Sequence, residues 1–140
     1  MTTQSTHPAP PEQLLEPFRF VFLEHDYPTL HWDILLQQGN RLLGWRGDNH
    51  GHFLNGGHVV QTSDHRLVYL DYEGPLTGQR GTVKRVDAGR LTWRHCAENE
   101  FIAEIQGKQW HGVLELKKID ATKWFSSFTF MGSIEQPGSK

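Results

Sequence analysis

From Phe18 onward the apolar residues recur with a period of two, and that feature restricts the chain to strands. Phe18, Phe20 and Phe22 alternate with Arg19, Val21 and Leu23, and Leu30, Trp32, Ile34 and Leu36 alternate with His31, Asp33 and Leu35. Side chains two apart lie on one face of a strand, so each alternation writes two faces into the sequence. Further candidate strands follow over 41–46, 58–62, 67–72, 81–86, 90–95, 101–106, 110–118 and 123–130. Turn signals separate them: Gln37-Gln38-Gly39-Asn40, Asn55-Gly56-Gly57, Gly74-Pro75, Asp87-Ala88-Gly89 and Gln106-Gly107-Lys108. Short, evenly spaced strands predict an all-β fold: a single small β-barrel, closed or partly open, of about eight strands. At 140 residues there is room for one domain. We place it at 18–131, between a flexible Pro/Thr-rich arm over 1–17, with a short helix at 11–16 as an option, and a flexible tail over 132–140.

Composition removes several function classes. The apolar runs are too short to span a membrane, and no apolar stretch follows the N-terminus, so the expected location is the cytoplasm. The single cysteine, Cys96, excludes an internal disulfide framework and reads as a small structural filler. A net charge of −2 argues against a strongly basic nucleic-acid wrapper but leaves room for a local basic site. The nine histidines point to metal or acid–base chemistry.

The densest chemistry lies in two stretches. In the first, His31 and Asp33 share the strand face opposite Trp32 and Ile34, with His25 just upstream. In the second, His65 enters a segment on which Tyr69, Asp71 and Glu73 share a face if it is a strand. Two histidines and a carboxylate form an ordinary ligand set for a divalent ion with positions left for water or substrate. The competing reading is the solvated side of an antiparallel sheet. Spacing alone does not decide whether His25, Asp33 and His65 converge.

His25-Asp26-x-x-x-Leu30-His31-Trp32-Asp33 and Asp64-His65-x-Leu67-x-Tyr69-x-Asp71-Tyr72-Glu73-Gly74 together resemble the signature of the 3′-phosphoesterase domain of bacterial DNA ligase D. Gly81-Thr82-Val83 and Asp87-x-Gly89 fit the same domain, and the resemblance covers about residues 18–130. It implies a small β-barrel with a manganese-dependent activity that removes a 3′-phosphate and a 3′-terminal ribonucleoside from DNA in repair. By that resemblance His25, Asp33 and His65 hold Mn²⁺ or another divalent cation, His31 acts at the scissile phosphate, and Tyr69 supports it. The partners implied are DNA or RNA–DNA 3′ ends and a separate ligase or polymerase chain.

The departures are specific. The family's arginine two residues after the aspartate is Leu35 here. Its glutamate two residues before the second metal histidine is Ser63, its glutamine two before the first is Leu23, and its Pro-Lys is missing after Trp45. A leucine cannot bond a phosphate, so Arg46, Arg66 and Arg80 are the candidate replacement cations.

Two alternatives stand beside the enzyme reading. One is a catalytically weak or inactive module of the same fold that binds nucleic-acid ends or a partner, in which Leu35→Arg would restore turnover. The other is a cupin-like metal-binding barrel acting on a small molecule, suggested by Gly44-x5-His50-x-His52. The facial triad of non-haem iron oxygenases also matches His31-x-Asp33, more weakly. His58, His95 and His111 read as strand-face or edge residues. Asp71 and Glu73 read as turn anchors or partners of Arg80, and Trp45, Trp93, Trp110 and Trp124 as barrel packing or rim. Lys117, Lys118 and Lys123 read as solvated.

Overall fold

The computed structural model describes residues 17–48, 51, 54 and 56–131. Nine strands run in chain order: β1 (Phe18–His25), β2 (His31–Gln38), β3 (Arg41–Gly47), β4 (Gly57–His65), β5 (Gly74–Pro75), β6 (Thr82–Ala97), β7 (Glu100–Gly107), β8 (His111–Lys118) and β9 (Lys123–Phe130). They pair antiparallel in the order β1-β2-β3-β4-β9-β8-β7-β6-β5, and β1 also pairs with β6. Eight strands therefore close into a barrel, with β5 as an extra short strand beside β6. Closure removes the free edges that an open sheet would expose. The described residues contain no α-helix, and no helix long and apolar enough to cross a membrane. The expected tail over 132–140, the arm over 1–17 (apart from Pro17) and the optional helix at 11–16 lie outside the described residues.

The period-two pattern maps onto the barrel interior. Phe20, Phe22, Ile34, Leu36, Trp45 and Trp124 are fully buried there, and Trp45 packs edge-on against Trp124 with ring centroids 5.5 Å apart. Edge-to-face rings suit the aromatic quadrupole, and each buried side chain of this size contributes about 1.5–3 kcal/mol. Leu30, read as part of this face, lies in the β1–β2 turn instead and is 46% exposed.

A second apolar cluster sits outside the barrel. Val21, Leu23, Leu35, Leu42 and Val83 face outward, and Leu70 covers them with help from Leu67, Tyr69, Tyr72 and Leu76. The covering segment is not the strand expected over 67–72. It is one turn of 3-10 helix over Leu67–Leu70 that runs through a turn into β5. Tyr69, Asp71 and Glu73 thus do not share a strand face. An isolated strand could not lay Leu67 and Leu70 onto the barrel together, whereas residues three apart coincide on a 3-10 turn.

The turn expected at Asp87-Ala88-Gly89 is also absent, because the strands expected over 81–86 and 90–95 merge into one sixteen-residue strand, β6, which begins at Thr82. The glycine serves close approach: a Cβ on Gly89 would lie 1.9 Å from the Gln106 carbonyl oxygen. Asp87 is buried and accepts the N–H groups of Lys108 (2.8 Å), Gln109 (3.0 Å) and Trp110 (2.9 Å), tying β6 to the β7–β8 turn.

Candidate metal centre

The β1–β2 hairpin builds most of the site by itself. His25 stands directly opposite His31 in the register, and Leu23 opposite Asp33. Opposed residues on an antiparallel pair share a face, so both imidazoles and the carboxylate lie on the outer face of the barrel. The cluster is not solvated as an outer sheet face would be. His31 is 4% and Asp33 6% exposed, because the 67–83 segment walls that face.

Hydrogen bonds fix which ring nitrogens can act as ligands. His25 Nε2 lies 2.8 Å from the Arg80 carbonyl oxygen, and His31 Nδ1 lies 2.7 Å from the Thr29 carbonyl oxygen. A carbonyl only accepts, so each of these nitrogens carries the hydrogen. In the neutral ring the opposite nitrogens then present lone pairs. His25 Nδ1 is 3.5 Å from Asp33 Oδ2, and His31 Nε2 is 3.2 Å from Asp33 Oδ1. His31 Nε2 is buried with no hydrogen-bond partner. Ligand atoms of His25, His31 and Asp33 all lie within 4.8 Å of one another. Two imidazole lone pairs aimed at a carboxylate repel unless a cation stands among them, and carbonyl-anchored imidazoles are the usual outer support of metal-binding histidines. The donor set, nitrogen and oxygen without sulfur, suits a borderline or hard divalent ion.

The arrangement has its own supports. Asp26 Oδ1 accepts the Thr82 N–H at 2.7 Å, which pins the β1–β2 turn to the residues following Arg80. Gly81 makes room for that carboxylate: it has φ +79°, and a Cβ there would lie 2.2 Å from Asp26 Oδ1. The carbonyl that orients His25 is therefore held by a short local network.

His65 lies outside the tight group but lines the same cleft, of about 200 Å³, with His25, Asp33, Arg46, Tyr69 and Arg80. A β-bulge brings it there. Leu42 pairs with His65 and Gly44 with Thr62, so two residues of β4 oppose one of β3. Without the extra residue, positions 62 and 65 would point to opposite faces. Gly44 completes the fit: a Cβ would lie 2.6 Å from Thr62 Oγ1 and 3.0 Å from His65 Nδ1, both buried atoms without a hydrogen-bond partner.

Of the residues expected at a metal-bound phosphate, His25, His31 and Asp33 form the tight group, so His31 stands where the expected ligand set had His65, while His65 and Tyr69 line the adjoining cleft. Of the three candidate arginines, Arg46 and Arg80 line the cleft, while Arg66 lines the neighbouring one. Arg46 is exposed, stands opposite Asp33 on β3, and its side chain makes no hydrogen bond or ion pair to a described residue. Arg80 donates from Nε to the Thr77 carbonyl at 2.8 Å.

Other sequence readings are corrected. Neither Asp71 nor Glu73 pairs with Arg80: Asp71 bonds Arg19, and Glu73 accepts the Arg85 N–H at 2.6 Å. The Arg19 guanidinium holds the Asp71 carboxyl below its ordinary range. Leu35 does face the site side of the sheet, but it is fully buried in the outer cluster, so that position is a packing position in this chain. Burial pushes the Cys96 thiol up, which suits an inert filler. His50 and His52, on which the cupin reading rests, lie outside the described residues. Asp26, Gly44 and Thr62 support the site without any period or spacing that marks them in the sequence, apart from the adjacency of Asp26 to His25.

Compared with known proteins, the chain matches no family model and no curated protein.

Proposed function

We propose that the chain is a divalent-metal-dependent phosphoesterase acting on 3′ ends of DNA, removing a 3′-phosphate or a 3′-terminal ribonucleoside. One observation carries the reading: His25 Nδ1 and His31 Nε2 face the Asp33 carboxylate while each ring's other nitrogen meets a backbone carbonyl. His25, His31 and Asp33 would hold the ion, with Mn²⁺ the metal of the resembled domain, and His65 is available from the same cleft. Such an ion supplies Lewis acidity to a phosphoryl oxygen and makes water a better nucleophile. The chain's own residues do the rest. Arg46 sets a cation against phosphate charge beside Asp33, and Arg80 sets another across the cleft, together replacing the arginine that Leu35 displaces. His31 orients the phosphate if His65 takes its place among the ligands. The leucine-lined wall and the covering segment exclude water from one side of the site.

The cleft is small and polar, which suits a phosphate better than a large apolar ligand. The test uses end-labelled primers carrying a 3′-phosphate or one 3′-terminal ribonucleoside, with and without Mn²⁺. Metal-dependent conversion to a 3′-hydroxyl is the expected result. No product from folded, metal-loaded protein removes the activity. Loss of the arginine at position 35 favours a second reading, a module that binds such ends without turning them over. Retention of a 3′-phosphorylated primer with no product would support it.

A further inference from the structure

A second cleft, of about 250 Å³, adjoins the first, and the two share Tyr69, Leu76 and Arg80 as a common wall. Its remaining lining includes Arg66, Val68 and Tyr72. Three rings run from one cleft to the other. His65 and Tyr69 are edge-to-face with centroids 5.8 Å apart, and Tyr69 and Tyr72 are edge-to-face at 6.3 Å. Tyr72 is fixed by a hydrogen bond from its hydroxyl to the Pro75 carbonyl. This cleft is more apolar than the first and carries two arginines. Val68 stands at its rim, 52% exposed although it is apolar.

We infer that this second cleft takes the 3′-terminal ribonucleoside, base and sugar, on the side of the scissile phosphate away from the primer. The inference rests on the phosphoesterase reading and specifies which chemical group lies on which side of the phosphate. The volume accommodates about one nucleoside. Fixed aromatic rings with neighbouring guanidinium planes are the surface on which a base stacks without regard to sequence. The shared wall means that a phosphate in the first cleft and a nucleoside in the second can belong to one molecule.

The step balances simply. Water oxygen bonds to phosphorus, the bond from phosphorus to the nucleoside O5′ breaks, and O5′ leaves with a proton as the free ribonucleoside. The primer keeps a 3′-phosphate, and the second proton of the water goes to solvent. Removal of that phosphate, in which the primer's own O3′ leaves, places nothing in the second cleft. The two activities should therefore separate.

The experiment compares wild type with Val68→Trp, which fills the cleft, and Ile119→Trp, which adds the same ring at an exposed position that lines neither cleft, in the presence of Mn²⁺. Val68 and Ile119 are both exposed, so neither change disturbs the core. In Val68→Trp, ribonucleoside release should fall at least tenfold while 3′-phosphate removal stays within twofold of wild type. Ile119→Trp should leave both within about threefold. A parallel measurement titrates adenosine into the metal-free protein and follows the ring resonances of its three tyrosines. Tyr69 and Tyr72 should shift, Tyr27 should not, and Val68→Trp should abolish the response. Equal effects of Val68→Trp on both activities, or no adenosine response, overturn the inference. Tyrosine shifts without turnover of either primer would sink the phosphoesterase reading while leaving the nucleoside cleft standing.

Discussion

Replacing Asp33 by asparagine should stabilise the metal-free protein, although it removes a charged residue that is 6% exposed and touches two histidines. The reason lies in the proton positions. With both imidazoles neutral and each N–H on a backbone carbonyl, lone pairs turn toward Asp33 and the carboxylate has no donor from either ring. An asparagine amide puts an N–H where His31 Nε2 waits at 3.2 Å, or where His25 Nδ1 waits at 3.5 Å. One new buried hydrogen bond is worth about 1 kcal/mol, or about 3–5 °C in melting temperature for a domain of this size. With Mn²⁺ the order should reverse. At a hundred times its dissociation constant, an ion bound only by the folded state adds about 2.7 kcal/mol, or about 10 °C on the same scale, to wild type and almost nothing to Asp33→Asn. Thermal melts of both proteins in EDTA and in Mn²⁺ give the four values. If Asp33→Asn melts lower than wild type in EDTA, the carboxylate is holding a proton on an imidazole, and the cluster is an ion pair instead of a vacant ligand set.

Three further outcomes follow from other parts of the molecule. Leu35→Arg should not restore a lost phosphate contact; it should destabilise the fold by about 4 kcal/mol, because it buries an unpaired charge in the Leu23–Leu42–Leu70 cluster, as chemical denaturation will measure. Asp87→Ala should cost about 3 kcal/mol by stranding three backbone donors, and hydrogen exchange at Lys108, Gln109 and Trp110 should accelerate before exchange elsewhere in the barrel. Asp71 should titrate below the ordinary carboxylate range by NMR and return toward it in Arg19→Gln. Its folded-state pKa is depressed, so the small stability it carries is present above the unfolded value of about 3.9 and disappears as pH falls through the lower folded value.

The barrel was legible because its information is local. Alternation in β1, β2, β7 and β8 assigns each residue a face, and glycine-rich turns separate the hairpins. Where one residue type has two uses, the sequence misled. Asp87-Ala88-Gly89 has the composition of a turn, yet Gly89 is small to admit the Gln106 carbonyl and Asp87 is an acceptor for a distant hairpin. Leu67–Tyr72 has strand composition, but its apolar residues are needed on the outer cluster three apart, not two.

The site divides in the same way. His25, His31 and Asp33 come from one hairpin, so their shared face can be read by counting residues. The approach of His65 depends on a bulge in β4 and on the absence of a side chain at Gly44, neither of which is written in a two-residue period. The choice among Arg46, Arg66 and Arg80 depends on how the 67–83 segment folds back over the barrel, which no local pattern specifies.

The most direct measurement is the position of Mn²⁺ in crystals of the full chain grown with that ion, located by anomalous scattering. One strong peak is expected at about 2.2 Å from His25 Nδ1, His31 Nε2 and an Asp33 oxygen, with the His25–Arg80 and His31–Thr29 hydrogen bonds kept. A peak held elsewhere, or no peak at millimolar Mn²⁺ with these three side chains ordered, would contradict it.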